Sequence, residues 1–282
     1  MKIIEPNVTE VTDFEGVDNF YKAVARAARI CYASDKTNND KELCERLIKL
    51  GHYSPFEHAI IYLDFNTVYY KHIYDIFTDY VLNFIRKNKY TIYFEKGNIV
   101  AVNGRIFLEG IKDFEKTNNL ECYNIEEIFE QLSDAVIDTH KFKSFIVDSS
   151  IGTTRELNTH KDNCYHCEQS TRYCNFSKGK FGSEVSFNKI YWFDDANAQK
   201  QNRWKFSMEQ AEHNYLEALK EGFTTDEARG ILPIDTHSRA IYTATIEEWQ
   251  HIIDLRYKGI TGKPHGDIMI IADKIRQALY DK

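Results

Sequence analysis

The sequence is poor in the residues that typify disordered, repetitive or disulfide-stapled chains. Among its 282 residues, 4 are proline and 13 are glycine, which argues against a disordered or linker-rich protein. Its 6 cysteines are too few and too scattered to staple a chain of this length. A reducing compartment is the simpler interpretation, and we therefore expect a cytoplasmic protein.

Two other features that the sequence lacks argue against whole classes of protein. No uninterrupted apolar run of about 18 residues occurs, so no membrane-spanning helix is expected, and Met1–Pro6 lacks the apolar core of a signal peptide. The net charge of -7 disfavours a general nucleic-acid coat, which needs a broad basic face. A single nucleotide remains a plausible ligand, because it needs only a local cluster of arginines.

The hydrophobic pattern mixes helical and extended segments. It predicts helices over residues 18–31, 39–50, 70–88, 111–141, 207–222, 246–256 and 267–281, strands over 59–68 and 142–147, and a hairpin across 90–109. Ser207 opens one of the helices as part of a capping box, and Asn103-Gly104 reads as a turn. Strands and helices do not alternate regularly, so the pattern favours an α+β fold over a doubly wound sheet.

The most informative segment runs from Cys167 to Ser177 and combines an acid, an amide, hydroxyls, a guanidinium and a phenol. Such a segment suits neither a core nor a linker. Arg172 can offer a planar fork of donors to a phosphate, with Ser170 and Thr171 as short-range donors beside it. The segment therefore predicts a binding site for a small polar anion.

Two alternatives use the cysteines and histidines around this segment. The residues with metal-binding side chains are His160, Cys164, His166, Cys167 and Cys174. Imidazole and thiolate are preferred zinc ligands, but the spacing matches no common zinc pattern. A cysteine nucleophile activated by a neighbouring histidine is the second alternative, although no thiol-enzyme signature surrounds these residues. The simplest interpretation is that the thiols pack beside a ligand pocket.

Five segments in order along the chain resemble the flavin-dependent thymidylate synthase (ThyX) family. They are Ala27–Tyr32, Gly51–His58, Arg155–Leu157 with Glu168–Tyr173, Ala228–Pro233, and Tyr242–Arg256. The resemblance implies a ThyX-like fold with a mixed or antiparallel sheet flanked by helices. It also implies a single domain over residues 1–282, with an insertion at about 69–143 that compact family members lack.

The resemblance also implies substrate-binding positions. The stretch that holds deoxyuridine monophosphate (dUMP) in the family corresponds to Glu168, Gln169, Ser170, Thr171 and Arg172. Arg229 matches a phosphate-contacting arginine supplied by a neighbouring subunit. Arg256 matches the arginine that contacts the uracil ring, and it is the expected catalytic residue. A fixed guanidinium suits that role because negative charge develops on a uracil oxygen during the reaction.

A second set of positions corresponds to contacts with the flavin in the family. These positions are His52, Ser54, Glu57, His160, Lys161, His251 and His265. The expected cofactor is FAD, and no metal ion is expected.

The chain departs from the family pattern at its most recognised feature, an Arg-His-Arg triplet followed by seven residues and a serine. The matching stretch reads Thr159-His160-Lys161, or His160-Lys161-Asp162 when counted back from Ser170. Both arginines are missing in either alignment. Lys161 keeps a charge but loses the planar fork of donors.

Two smaller departures lie towards the C-terminus. Thr245 stands where the family often has a flavin-contacting asparagine. Gly266-Asp267 stands where an Ala-Gln or Pro-Gln pair is usual.

The reaction implied by the resemblance is the reductive methylation of dUMP to thymidine monophosphate. Methylenetetrahydrofolate supplies the carbon, reduced FAD supplies the hydride, and NADPH reduces the flavin. A homotetramer with active sites shared between subunits is expected, without a nucleic-acid polymer or a membrane as partner. Two alternatives remain open: a relative that modifies another pyrimidine nucleotide, for example by hydroxymethylation, and a non-catalytic nucleotide-binding paralogue.

Overall fold

The computed structural model describes residues 1–12, 17–34, 39–64, 94–96, 99–118, 142–160 and 164–281, together with Tyr80, Asn83, Phe84 and Lys87. Most of the helix predicted over 70–88, and the part of the helix predicted over 111–141 that follows residue 118, lie outside the described residues. The proposed flavin contact Lys161 lies outside them as well.

Nine strands and eight helices are formed by the described residues. The strands are β1 (Lys2–Ile4), β2 (Asn7–Val11), β3 (Ile60–Asp64), β4 (Phe94–Lys96), β5 (Ile99–Asn103), β6 (Phe142–Ser150), β7 (Cys164–Glu168), β8 (Ser186–Asn188) and β9 (His237–Thr245). The helices are α1 (Val17–Cys31), α2 (Asp40–Lys49), α3 (Gly104–Asn118), α4 (Ile151–Leu157), α5 (Ala198–Lys220), α6 (Thr225–Ala228), α7 (Ile246–Arg256) and α8 (Gly266–Tyr280). Short 3-10 helices span Ser54–His58, Gly179–Phe181 and Arg229–Ile231.

A four-stranded antiparallel sheet in the order β2-β6-β9-β7 organises the fold. Its longest pairing joins β6 and β9, from Phe142 opposite Thr245 to Ser150 opposite His237. Strand β7 pairs with the other side of β9 and places Glu168 opposite Ala240. A parallel pair β1-β8 and an antiparallel sheet β3-β5-β4 lie beside it. The predicted α+β class with an antiparallel sheet is confirmed.

Side chains on β9 alternate between two apolar cores, as the twofold period of a strand requires. Ile241 joins the core formed with α1, α2 and α3, whereas Ala240 and Tyr242 join the core formed with α7 and α8. A third core packs around α5, with Trp204 and Tyr215 at its centre. Helices therefore cover both faces of the sheet, and the ends of its strands are left for polar side chains.

Helices α1, α2, α7 and α8 begin and end within two residues of their predicted positions, and α3 does not. The hairpin formed by β4 and β5 was expected, but Asn103-Gly104, predicted as a further turn, lies where β5 ends and α3 begins. The Asn103 side chain accepts a hydrogen bond from the Ile106 amide at 2.9 Å and so starts α3. Glycine is required next to it, because a Cβ at Gly104 would lie 2.6 Å from the Phe20 ring.

Helix α5 is nine residues longer at its start than the capping-box signal at Ser207 predicted. Its N-cap is Asn197, whose side chain accepts a hydrogen bond from the Lys200 amide at 2.9 Å. Ser207 lies inside the helix and donates its hydroxyl proton to the Arg203 carbonyl at 3.0 Å. The residues of a capping box are present, but a serine hydroxyl can also donate to a carbonyl of its own helix. The predicted helix start at Ser207 was therefore wrong.

Two global features follow from the described residues. None of the helices in the described part of the chain combines the length and the apolar character that a membrane crossing requires. The five cysteines among these residues, all except Cys122, carry free thiols.

A buried histidine makes the fold sensitive to acid. His58 ends the 3-10 helix at Ser54–His58, is fully enclosed, and its Nδ1 atom lies 2.9 Å from the Thr243 hydroxyl on β9. Burial, with a smaller effect of His166, lowers the pKa of His58 from 6.5 to about 3. The unfolded chain therefore takes up a proton below pH 6.5 that the folded protein rejects until about pH 3.

We predict that the free energy of unfolding falls by roughly 1 to 2 kcal/mol for each pH unit of this interval because of His58 alone. Urea unfolding of the parent and of His58→Gln, measured across the interval, tests this. The free energy of unfolding of the parent minus that of His58→Gln should decrease as the pH falls. His213→Gln, an exposed histidine on α5, serves as the matched control. A pH-independent difference between His58→Gln and the parent would contradict the prediction.

Candidate functional site

The polar segment singled out in the sequence leaves the central sheet at the end of β7. We call residues 168–172 the anion loop. The Gln169 amide donates to the Arg239 carbonyl on β9 at 2.8 Å, and the Ser170 amide donates to the Cys31 carbonyl at the end of α1 at 3.0 Å. Two backbone hydrogen bonds from two different elements therefore hold the loop in place.

Glu168 ties the anion loop to α4. Its carboxylate accepts hydrogen bonds from the hydroxyls of Thr154 at 2.7 Å and Ser238 at 2.6 Å, and from the Asn158 side chain at 3.2 Å. Asn158 in turn accepts a hydrogen bond from the Tyr242 hydroxyl at 2.8 Å. A carboxylate with three donors is well anchored.

Arg172 and Arg229 meet at one carboxylate. The Nε atom of Arg172 lies 3.4 Å from Asp226 Oδ2, and the Nε atom of Arg229 lies 3.2 Å from Asp226 Oδ1. The two arginine side chains are about half exposed. Thr224 fixes the N-terminus of α6, which carries Asp226, through reciprocal hydrogen bonds with Glu227. Two guanidinium groups around one negative charge, beside the hydroxyl of Ser170, form a position suited to a phosphate.

This convergence occurs within a single chain. The family resemblance implies that Arg229 is supplied by a neighbouring subunit, and that assignment stays a prediction; within one chain, the Arg229 side chain shares a carboxylate with Arg172. Asp226 itself carried no sequence signal, because an acidic residue in the first turn of a helix is ordinary.

Arg256 lies at the end of α7 and is held by four acceptors. It donates to His160 Nε2 at 3.2 Å, to the Thr159 hydroxyl at 2.9 Å, and to the Glu156 carbonyl and carboxylate at 3.3 and 3.4 Å. The guanidinium is therefore fixed in orientation and only one-quarter exposed. Glu156 belongs to the family-like segment Arg155–Leu157 but was not among the expected site residues.

Helix α4 separates Arg256 from the anion loop. Thr154 and Asn158 contact Glu168, whereas Glu156 contacts Arg256. Within one chain, the structure thus joins residues 168–172 to Arg229 and leaves Arg256 in a second group.

The second group contains three of the histidines that the resemblance assigned to the flavin. The His160 and His251 rings meet edge-to-face with centroids 5.9 Å apart, and His160 Nδ1 lies 3.6 Å from Glu248. His265 Nδ1 lies 4.0 Å from Glu156, which also binds Arg256. His160, His251, His265 and Arg256 therefore line one region of the molecule.

The ligand atoms of His160, Glu248 and His251 lie within 4.8 Å of one another, as metal ligands would. However, the lone pair on His160 Nε2 already accepts a hydrogen bond from Arg256, so a neutral His160 carries its proton on Nδ1. That proton blocks Nδ1 as a ligand atom, and the adjacent guanidinium repels a cation. No group of three metal-capable side chains in the described ranges includes a cysteine, so the zinc alternative finds no support there.

Tyr191 contacts both residues of the unusual Gly266-Asp267 pair. A Cβ at position 266 would lie 2.2 Å from the Tyr191 ring, so only glycine lets that ring approach. The Tyr191 amide donates to the Asp267 carboxylate at 2.6 Å, and the Tyr191 ring packs edge-to-face on His265. Tyr191 thus fixes the segment that carries His265.

Thr245 also has a structural role where the family often has asparagine. Its hydroxyl accepts a hydrogen bond from the Glu248 amide at 3.1 Å and caps the N-terminus of α7. The cap holds the helix that carries His251 and Arg256.

The turn at Gly51–His58 lines a cavity of about 360 Å³. Its wall includes His52, Ser54, Tyr32, Cys31 and Arg105. His52 and Ser54 were among the expected flavin contacts. Arg105 lies in the proposed insertion, outside the segments that resemble the family, so no sequence signal pointed to it.

Glu57 does not line this cavity. Its carboxylate accepts a hydrogen bond from Arg105 Nη1 at 2.7 Å, and Arg105 Nε donates to Glu109 at 2.8 Å. Burial raises the pKa of Glu57, against the opposing effect of Arg105. Glu57 therefore positions the Arg105 guanidinium at the cavity wall.

The thiols near the anion loop differ in reactivity. A hydrogen bond from Cys167 lowers the pKa of Cys31, which is half-buried in the cavity wall. The same interaction and burial raise the pKa of Cys167, and burial raises the pKa of Cys164 strongly. Cys164 and Cys167 are therefore poor nucleophiles, which argues against the cysteine-enzyme alternative.

We predict that limiting iodoacetamide near neutral pH modifies Cys31 before the other thiols. Cys44, Cys164, Cys167 and Cys174 are buried, and burial raises the pKa of Cys44 to about 12 and of Cys174 to about 11. Peptide mass spectrometry of a Cys122→Ser background measures the order of labelling. Cys31→Ser in the same background should lose the fast phase. Faster labelling of any of the four buried thiols would contradict the assignment.

A family of known proteins matches most of the chain. The family model described as "Thymidylate synthase complementing protein" matches residues 15–69 and 94–282. A flavin-dependent thymidylate synthase from Synechocystis sp. is 30% identical over 89 residues. That match covers 31% of this chain and 41% of the relative, so the chain aligns with less than half of that protein.

Among solved structures, similarity is found to a UMP/dUMP methylase, PolB, from Streptomyces cacaoi. The structure bound with 5-Br dUMP has a TM-score of 0.46 and 17% identity, covering 100% of this chain and 93% of PolB. The structure bound with 5-Br UMP has a TM-score of 0.45 and 16% identity, covering 99% and 91%. Because the family model spans both the anion loop and the Arg256 group, the chain belongs to the flavin-dependent thymidylate synthase family.

Proposed function

We propose that this protein catalyses the reductive methylation of dUMP to thymidine monophosphate, with methylenetetrahydrofolate as carbon donor, FAD as cofactor and NADPH as reductant. The observation that carries the proposal is the convergence of Arg172 and Arg229 on one anionic position beside the anion loop. Family membership supplies the reaction type. We further propose that residues 1–282 form one domain with an insertion at about 69–143.

In this proposal the nucleotide phosphate takes the place of the Asp226 carboxylate between Arg172 and Arg229. The hydroxyls of Ser170 and Thr171 add donors, and Gln169 lies beside them. Glu168 serves a different purpose: its three donors fix the loop, so that the binding groups are preorganised. Ser170 binds the substrate rather than attacking it.

Arg256 acts on the pyrimidine ring. Four acceptors hold its guanidinium at a fixed angle, so little reorganisation is needed when negative charge develops on a uracil oxygen. Since α4 separates Arg256 from the anion loop within one chain, we propose that Arg256 of a second copy faces the nucleotide. Shared sites of this kind fit a homotetramer.

The residues at the Gly51–His58 turn fit part of a flavin. Tyr32 and Tyr53 present aromatic surface to the cavity, and His52, Ser54 and Arg105 present polar groups to its edges. At about 360 Å³ the cavity suits a ring system rather than an entire dinucleotide. The remainder of FAD would lie against His160, His251 and His265 of another copy. When bound and reduced, FAD supplies the hydride that completes the methyl group.

We predict that Arg172→Ala weakens dUMP binding by about 10- to 100-fold, because a charge-assisted hydrogen-bonding partner of the phosphate is lost. Arg172→Lys should give an intermediate affinity, since it keeps the charge without the fork. Calorimetric titration of dUMP measures both, and Arg203→Ala on the exposed face of α5 is the control. Parent-like affinity in Arg172→Ala would remove the anion loop from the substrate site.

We predict that Arg256→Lys lowers kcat by at least about 100-fold while leaving the melting temperature within a few degrees of the parent. Lysine cannot donate to His160, Thr159 and Glu156 in the same plane. Turnover is measured with dUMP, methylenetetrahydrofolate, FAD and NADPH, and mass spectrometry of the nucleotide identifies the product. Arg276→Lys, a similarly exposed arginine on α8, is the matched control. Unchanged kcat would exclude Arg256 from catalysis.

The second candidate function is modification of another pyrimidine nucleotide by the same fold. It is favoured by Thr159 and His160, which stand where the family has arginine and histidine, and which here both accept hydrogen bonds from Arg256. The same mass-spectrometric assay, run with dUMP and with UMP, separates the two candidates by the mass added and the substrate consumed. Consumption of neither substrate by a flavin-loaded protein would favour a non-catalytic paralogue.

A further inference from the structure

A second cavity, separate from the turn at Gly51–His58, lies between α1 and the start of β9. Its volume is about 460 Å³. Helix α1 contributes Lys22, Arg26 and Arg29, which are spaced at i, i+4 and i+7 and so share one helix face. Arg239 and Lys180 line it from β9 and from the 3-10 helix Gly179–Phe181.

The cavity is positively charged. Five lysine and arginine side chains line it, together with His237, and none of the lining residues in the described ranges is a carboxylate. Among the acids that the structure describes, Asp40 binds Arg29 at 2.6 Å, and Asp148 binds Arg239 at 2.8 and 3.0 Å and lies 3.1 Å from His237 Nε2. Basic side chains gathered around one cavity favour an anionic ligand, even in a chain whose net charge is -7.

Neutral groups in the cavity wall suggest more than a bare anion. Phe181 offers an aromatic ring, Ile30 and Ile146 offer apolar surface, and the side chains of Gln169 and Ser34 offer hydrogen-bonding groups. A volume of about 460 Å³ lies within the usual range for small-molecule sites. A ligand that combines several negative charges with a flat, partly apolar ring would satisfy both parts of the wall.

We infer that this cavity binds a nucleoside triphosphate, with the polyphosphate among the α1 basic residues, Lys180 and Arg239, and the base against Phe181. We call it the α1 cavity. It is a different place from the proposed substrate site, because Arg172, Arg229 and Arg256 do not line it. Gln169 connects the two, because it lines the cavity and is itself part of the anion loop. Occupation of the α1 cavity would therefore act on the loop that grips the substrate.

Calorimetric titration of the full-length protein with dTTP, ATP and inorganic triphosphate tests this inference. Lys22→Gln/Lys180→Gln removes two exposed charges with little risk to the fold, and Lys220→Gln/Lys258→Gln removes two exposed lysines elsewhere. We expect the first pair to weaken nucleoside triphosphate binding by at least about tenfold and the second pair to leave it unchanged. Phe181→Leu should weaken binding of the nucleotides but not of inorganic triphosphate.

Four results would overturn the assignment of the α1 cavity as a triphosphate site. The first is the absence of measurable nucleoside triphosphate binding by the parent. The second is parent-like affinity in Lys22→Gln/Lys180→Gln. The third is loss of binding in Arg172→Ala or full displacement by dUMP, either of which would put the ligand in the anion loop instead. The fourth is a changed oligomeric mass of Lys22→Gln/Lys180→Gln in sedimentation, which would identify the α1 cavity as a contact between subunits.

The inference stands or falls separately from the proposed reaction. A protein that fails to methylate dUMP could still bind a triphosphate in the α1 cavity, and the lysine variants leave Arg172, Arg229 and Arg256 in place. Inorganic triphosphate binding as tightly as dTTP and ATP would overturn the assignment of a nucleoside, because the base would then add nothing.

Discussion

The antiparallel pairing of β6 with β9, nine residues long in each strand, determines where the polar chemistry of this protein is located. Its register places Ser150 opposite His237 at one end of the sheet, and β7 adds Glu168 opposite Ala240 at the same end. Because a shift of one residue would turn every side chain to the other face, the apolar pattern of β9 locks this register. The anion loop, α4 and the start of β9 therefore meet at one edge by necessity.

Hydrogen-bonded polar groups at that edge hold the anion loop rigidly in place. Glu168 is a negative charge near the core, and such a charge is tolerated only when it is well hydrogen-bonded. Its donors come from α4 and β9, so the carboxylate cross-links the elements that carry the loop. The same α4 supplies Glu156 to Arg256 from its other side. One short helix thus orients two guanidinium-bearing groups without joining them, and this arrangement is what makes a second copy of the chain a natural partner in the proposed reaction.

The sequence was sufficient for the fold class and for the loop with Arg172, because apolar periodicity and a dense polar segment are local signals. It was insufficient for contacts between distant residues. Nothing local marks Asp226 as the partner of two arginines, or Arg105 as a cavity wall held by Glu57. The predicted helix starts were wrong where one residue type has two possible roles. Asparagine, as at Asn103, can cap a helix as well as occupy a turn, and serine, as at Ser207, can donate to a carbonyl within a helix as well as cap its N-terminus.

The departures from the family pattern have compensations that only the structure reveals. Gly266 and Asp267 form a pair with Tyr191, whose ring occupies the space that a side chain at 266 would need and whose amide binds the aspartate. Where the family has an Arg-His-Arg triplet, Thr159 and His160 accept hydrogen bonds from Arg256. Both arginines of that triplet are missing here, so the guanidinium that these two side chains orient is the one on Arg256. The orientation of Arg256 therefore depends on acceptors in the stretch where the chain departs from the family, and in the proposed reaction these acceptors would govern selectivity among pyrimidine rings.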